Sequence, residues 1–437
     1  TNLRGISQST PGESDGFCVN YQRAAVPLAA PGGQVAVLEF SQTGRLPDTL
    51  PTVQNSVPVT DLTWDPFNPH RLVTGGEDGR IRVWQIPQKG LKKTLTEPHI
   101  VLTGHNERIY TVRFHPCASD ILASSSYDFT VRIWNLQTGK DVHVLRGHED
   151  QIFSLAWSPD GKYLATCSKD QRIRIYEPRK SNLPMQEGPG PEGSRGARSG
   201  CVMGNICWRL DLIGKNILDR QISLLSPEDL SCGPVSKTNL DVSPSTLIPH
   251  YDPDTSLLLL TGKGDTRAFL FEVLAEPPYF LECNTFSSTD SHKGFQVLRK
   301  LDCAVCDAEI VRAVRLGSSS LEPVSFRVPR VKKEFFQDDL FPPSRITWEP
   351  ALSAGDWLDG KDLQQRTINL CPDGMVPVSQ APKEAPARKI LPSSVYLQEK
   401  TDEQKKEELL NAMVAKLGNR DDPLPQDAFE GVDEDEW

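Results

Sequence analysis

One pattern recurs three times in the first half of the chain. "VTDLTWDPFNPHRLVTGGEDGRIRVW" from Val59, "IYTVRFHPCASDILASSSYDFTVRIW" from Ile109 and "IFSLAWSPDGKYLATCSKDQRIRIY" from Ile152 align by eye. Each reads as a short alternating strand, a proline turn, a second strand, an acidic turn and a third alternating strand. Asp78, Asp128 and Asp170 each stand six residues before an aromatic, Trp84, Trp134 and Tyr176, and two units follow a Gly-His pair, Gly104–His105 and Gly147–His148. A repeat of roughly 40–45 residues built from strands is a small sheet that cannot bury its own faces, so it must stack on copies of itself.

The spacing resembles the WD repeat. There the turn aspartate bonds the histidine, the histidine a Ser or Thr, and that hydroxyl the indole N–H. The fullest set is Asp128, His105, Ser124 and Trp134; a second is Asp170, His148 and Thr166, with Tyr176 in place of Trp; the unit from Val59 lacks the His. A catalytic reading of these His/Asp/Ser sets fails because they recur once per unit, whereas an active site occurs once. About 315 residues separate Gly16 from Arg330, enough for seven units. Residues 16–40, 238–274 and 279–330 supply weaker units, and "MQEGPGPEGSRGARSG" (185–200) reads as a Gly/Pro loop.

Several segments outside the repeat carry a more specific resemblance: "TEPHIVLTGH" (96–105), "YDPDTSLLLLTGKGD" (251–265), "EPPYFLECNTF" (276–286), "LEPVSFRVPR" (321–330) and "FFQDDLFPPS" (335–344). Together they resemble the coronins, actin-associated WD-repeat proteins, over residues 16 to 370. Short coronins end in a coiled coil with sustained heptads. This chain instead has one short helix and an acidic tail, and so resembles the second half of the long coronins, which carry two propellers in tandem. The Lys-Phe-Arg segment that opens a coronin propeller is missing, only Arg4 stands near the actin-contacting arginine of short coronins, and 199–219 departs from the fifth-blade pattern.

The fold expected is therefore all-β: a seven-bladed WD-repeat β-propeller over 1–330, with a closing strand missing and an atypical blade around 199–225. A coronin-type extension follows over 331–376, then a disordered proline-rich linker over 377–400, an amphipathic helix over 401–418 and an acidic tail over 419–437. In the helix, Thr401 is placed to cap and Gln404 to complete a capping box. Leu409, Leu410, Met413, Val414 and Leu417 share one face. The tail from Asp421 holds eight acids and no Lys or Arg, so of the net charge of −10 the remainder of the chain carries only −2. A nearly neutral body argues against nucleic-acid binding.

Helix, acids and terminal Trp resemble the connector-plus-acidic module by which nucleation-promoting factors engage the actin-nucleating complex of actin-related proteins. The resemblance gives Asp433, Glu434, Asp435, Glu436 and Trp437 the partner contact, with the helix face in a groove. It also implies actin-filament binding, Golgi and endosomal trafficking proteins as partners, and a cytosolic protein peripherally associated with Golgi and trans-Golgi membranes and vesicles. A second reading is a membrane-trafficking or ubiquitin-ligase adaptor that binds through the propeller faces, with actin contact incidental. Enzymatic chemistry finds no footing: no nucleophile stands beside a partnered base, and "GKGD" (262–265) lacks phosphate-loop spacing. Ten cysteines without a framework suit a reducing compartment. The one C-x-x-C, Cys303 and Cys306, has no second pair to complete a zinc site. No cofactor, metal or membrane span is expected, since no apolar run approaches about 20 residues.

Overall fold

The computed structural model describes residues 3–381 and 401–417, apart from positions 4, 8, 9, 13, 48, 49, 191–197, 202–206, 213–218, 227 and 228. The chain divides into two compact units, Thr1–Gln380 and Ala381–Trp437.

The first unit is a succession of antiparallel sheets whose strands follow chain order. The third sheet shows why the sequence folds this way. Its strands are Ile109–Phe114, Ile121–Ser126, Val131–Asn135 and Lys140–Leu145. Ile121–Ser126 is buried at every position, while Lys140–Leu145 is mostly half-buried. Inner strands are covered on both faces by neighbouring sheets, so they need β-branched and small residues throughout. The outer strand meets solvent and accepts polar ones. Neighbouring blades then share cores: Val73, Ile81 and Val83 of the second blade pack with Ile109, Val112 and Trp134 of the third. The ring closes where Leu3, Ile6, Phe17, Val26 and Leu38 meet Val314 and Leu316.

The expectation of a seven-bladed ring with a closing strand missing is corrected to six complete blades and a seventh sheet of three strands. Six sheets have four strands, covering 18–54, 59–102, 109–145, 152–189, 198–242 and 247–287; the last, over 294–327, has three. The reason lies in one turn. Residues 279–330 are expected as one blade, but Phe280–Ser287 turns back to pair with Arg267–Val273 and completes the sixth blade instead. The last sheet is left with Gly294–Val297, Glu309–Leu316 and Leu321–Arg327, and no strand among the described residues pairs with the free edge of Leu321–Arg327. Two further boundaries move with it. Pro234–Val242, expected to share a blade with residues up to 274, is the outer strand of the fifth blade. The expected loop at 185–200 contains two strands, Gln186–Pro189 and Arg198–Cys201. Gln186–Pro189 is an edge strand, paired on one side only, and an edge tolerates Gly and Pro. In the atypical stretch, Cys207–Leu212 and Asp219–Leu225 pair with their neighbours to form a four-stranded sheet.

Beyond the ring, the chain packs back on it. Phe336 and Phe341, from "FFQDDLFP", are buried with their rings stacked at 5.9 Å, in a core shared with the last two sheets. The Cys117 carbonyl accepts the Ala351 and Leu352 N–H groups at 2.9 and 3.1 Å. The helix Ala354–Leu358 opens with a Ser353–Asp356 capping box. It carries Trp357 into a cluster with His115 and Trp157, ring centroids 5.3 and 6.2 Å away. The linker expected from 377 begins with a 3-10 turn, Val378–Gln380, tied to Phe336 by hydrogen bonds. Residues 382–400 lie outside the described residues.

Candidate functional site

The His/Asp/Ser sets come together as the repeat pattern requires. His105 Nδ1 donates to Asp128 at 2.8 Å, Ser124 Oγ lies 2.8 Å from Nε2, and Trp134 Nε1 donates to Ser124 Oγ at 2.8 Å. Because the carboxylate can only accept, Nδ1 carries the proton and Nε2 takes the serine proton. Burial pushes the Asp128 carboxyl up, but the hydrogen bond from His105 and the two bonds from Thr130 outweigh it and hold the group far below the usual carboxylate range. The blade from Ile152 repeats the arrangement: His148 lies 2.8 Å from Asp170 and 2.7 Å from Thr166. Tyr176 sends its hydroxyl to the Arg146 carbonyl at 3.3 Å. Burial, which outweighs the Asp170 bond and charge, lowers the His148 pKa.

Two features escape a reading of the sequence. In the second blade, Asn55 takes the histidine's place: its Oδ1 accepts from Thr74 Oγ1 at 2.8 Å, and Thr74 accepts from Trp84 Nε1 at 2.9 Å. Asp78 then turns to Arg82, 2.6 Å away. Asn55 stands 19 residues before Thr74, as His105 stands 19 before Ser124, so the spacing could have found it. The second feature is Arg220, fully buried, whose guanidinium is held between Asp241 at 2.5 Å and Asp265. Asp265 ends the "GKGD" segment, whose Asp265 N–H bonds the Gly262 carbonyl at 3.1 Å with Gly264 at φ +88°. That geometry is a β-turn between two blade strands, and its carboxylate is already engaged by Arg220 and two serines. It is not a phosphate cradle.

These groups are poor candidates for chemistry. The His105 side chain is 0% exposed, and every polar atom in its chain is used on a neighbour. Among the described residues, no three His, Cys, Asp or Glu gather as a metal site. Burial, the largest influence, pushes the Cys303 thiol up to about 11, and Cys306 is exposed; a redox pair needs the opposite shift. No helix of the described residues is long and apolar enough to cross a membrane.

The remaining candidate is the helix Asp402–Leu417 of the second unit. Gln404 Oε1 accepts the Thr401 N–H at 3.3 Å, one half of the expected capping box. Leu409, Leu410, Met413 and Val414 are 58–65% exposed, so their shared face is uncovered, and Leu417 ends the helix. Asp433, Glu434, Asp435, Glu436 and Trp437 lie outside the described residues.

Comparison with known proteins agrees with the repeat units between residues 48 and 177. The family model described as "WD domain, G-beta repeat" matches residues 48–85, 96–135 and 139–177, and one described as "Type of WD40 repeat" matches 321–365. The chain is 63% identical to coronin-7 of Mus musculus over 438 residues, covering all of this chain and 47% of that protein. It is 34% identical to coronin-2A of Bos taurus over 392 residues, 87% of this chain and 73% of that protein. The solved WD40 domain of Toxoplasma gondii coronin superposes with a TM-score of 0.78 at 26% identity, covering 85% of this chain and 95% of that one. The chain spans about half the length of the coronin-7 relatives it matches.

Proposed function

The chain belongs to the coronin family, most like its coronin-7 type, and on that premise we propose a non-enzymatic scaffold that regulates actin, with the propeller as platform and the helix and acidic tail as the arm that engages the actin-nucleating complex. The setting proposed is Golgi and post-Golgi vesicle traffic, with actin filaments and trafficking proteins as further partners. One observation carries the reading: four large apolar side chains lie uncovered on one face of the helix that leads into the eight-acid tail. An isolated helix of 16 residues gains little from propensity alone. A groove that covers Leu409, Leu410, Met413 and Val414 would stabilise it, while the acids steer onto a basic surface and Trp437 anchors.

The test is binding of the full chain to the purified nucleating complex, beside Trp437→Ala and across a salt series. An aromatic anchor of this kind predicts a loss of tenfold or more on the substitution, and weakening as salt rises. Binding that is indifferent to both would remove the tail from the mechanism. Attention would then shift to the propeller faces and an adaptor role.

A further inference from the structure

The turn that carries the extension is built around a histidine. In each of the three clear repeats a proline turn follows the first strand, and the residue before the proline is Asp65, His115 or Ser158. Asp65 Oδ1 closes its turn by accepting the Phe67 and Asn68 N–H groups at 2.8 and 3.3 Å. His115 does the same with a ring nitrogen: Nδ1 accepts the Cys117 and Ala118 N–H groups at 3.1 and 2.8 Å. Its Nε2 lies 2.9 Å from the Gly161 carbonyl, which can only accept, so Nε2 holds the proton and the ring is neutral.

The extension hangs on that turn. Besides the two bonds to the Cys117 carbonyl, the Ser119 N–H donates to the Leu352 carbonyl at 3.0 Å, and Gln365 Nε2 donates to the Pro116 carbonyl at 3.0 Å. Leu352 and Trp357 are buried with Ala118 in the core between the third and fourth blades. Trp157 and Trp357 pack on the His115 ring itself, centroids 4.7 and 5.3 Å away. Of the charges that reach the ring, Asp160 of the neighbouring turn favours an imidazolium and Arg179 opposes it. The Cys117 thiol is pushed up to about 12 by burial and stays neutral. From the extension come Asp356, tied to Ser353 and Lys361, and Arg345, paired with Asp254. His143 lies beyond, its ring 6.2 Å from Trp357.

We propose that His115 is an acid-sensitive latch: a proton on Nδ1 would point into two N–H donors, so it opens the 116–119 turn and releases the extension from the ring. Of the three residues that close these turns, only the imidazole is a base that ordinarily titrates in mild acid. Burial, the largest influence, holds it to about 4 while the turn is closed, against about 6.5 once water reaches the ring. The docked form is therefore fully favoured above pH 6.5 and loses ground as the pH falls toward 4, because the open form binds a proton that the docked form does not. Release uncovers Trp157 and the apolar face beneath Leu352 and Trp357. The latch belongs to the ring and its extension, and so goes beyond the scaffold reading.

The experiment is hydrogen exchange on the full chain at pH 7, 6 and 5, expressed as protection factors so that the intrinsic pH dependence cancels. Protection over 344–368 should lie below that of the core strand Ile121–Ser126 at each pH, the mark of a separate opening. It should fall about twentyfold from pH 7 to pH 5, as one proton with those two affinities requires. His115→Asn supplies an oxygen that can close the turn as Asp65 does but takes up no proton, and should flatten that dependence. His143→Gln removes the neighbouring titrating ring and should leave the dependence as in the parent. Protection over 344–368 that is flat with pH, or equal to that of Ile121–Ser126, would overturn the proposal. So would an Asn variant that keeps the parent's slope, or a Gln variant that loses it. The parent and His143→Gln decide the matter even where His115→Asn does not fold.

Discussion

Ser124→Ala is the substitution that most sharply separates architecture from chemistry in the His/Asp/Ser sets. Ser124 Oγ accepts from Trp134 Nε1 and gives its proton to His105 Nε2, both at 2.8 Å, and all three side chains are buried. Alanine therefore strands a donor and an acceptor where water cannot reach them. At about 1–3 kcal/mol for each stranded group, the cost is about 2–6 kcal/mol. Trp134→Phe removes the donor itself and leaves Ser124 bonded to His105, so it strands nothing and costs mainly packing. In a chain that already carries Trp134→Phe, Ser124→Ala strands only the histidine nitrogen. The double-mutant cycle should thus show a coupling of about 1–3 kcal/mol between the two sites. The assay is the guanidinium midpoint followed by far-ultraviolet circular dichroism, converted to free energy where the variants share one slope. The equivalent change in the next blade, Thr166→Val, should cost about half as much, because Tyr176 keeps the Arg146 carbonyl. A cost for Ser124→Ala below about 0.5 kcal/mol, or a strictly additive cycle, would refute the idea that the polar chain fixes strand register.

Acid should loosen the ring before the carboxylates titrate. Burial, the dominant influence, holds His115 and His292 to about 4, against about 6.5 in an unfolded chain. Between those values the unfolded state binds more protons, so the stability each contributes is full above pH 6.5 and is lost toward pH 4, by about 3 kcal/mol apiece. Asp128 and Asp170, whose folded values are depressed, hold their contribution until lower pH; a thermal midpoint that stays flat from pH 7 to pH 5 would contradict this. Trp357→Ala should cost about 3–5 kcal/mol and speed hydrogen exchange over 344–368, while exchange in the first blade stays as it was. Changing Leu409 and Met413 together to serine should leave the thermal stability of the ring within about 0.5 kcal/mol yet abolish binding to the nucleating complex; a large stability loss would mean the helix face is already covered.

Much of the ring is written in the first three repeats, because there every level of pattern agrees: alternation, turn residues and the polar chain all mark the same boundaries. Legibility fails where a turn looks the same inside a blade as between blades. "AEPPY" (275–279) breaks the strand pattern as strongly as an interblade connection does, yet it only reverses the chain into Phe280–Ser287. That one ambiguity displaced two blade boundaries and the blade count. The Gly/Pro run at 185–200 misleads for another reason: composition excludes a central strand but not an edge strand. Arg220 was invisible because its partners Asp241 and Asp265 stand 21 and 45 residues away, with no local pattern that links them.

The repeat also explains where function should not be sought. Within a blade, the His, Asp, Ser and Trp side chains consume one another's hydrogen-bonding capacity and are removed from solvent, so a partner has nothing there to read. What remains unspent lies outside the repeat: the uncovered face of the helix Asp402–Leu417, and the acids and Trp437 beyond it. On the proposed function, a blade substitution should act on stability and reach binding only through the fraction folded, whereas a substitution at either of these two places should act on binding at constant stability. The two classes therefore part in a single plot of affinity against melting temperature. Ser124→Ala should move along the stability axis, and Leu409→Ser and Trp437→Ala along the affinity axis. A tail variant that moved along both would show that the arm contributes to folding as well, contrary to its exposed helix face.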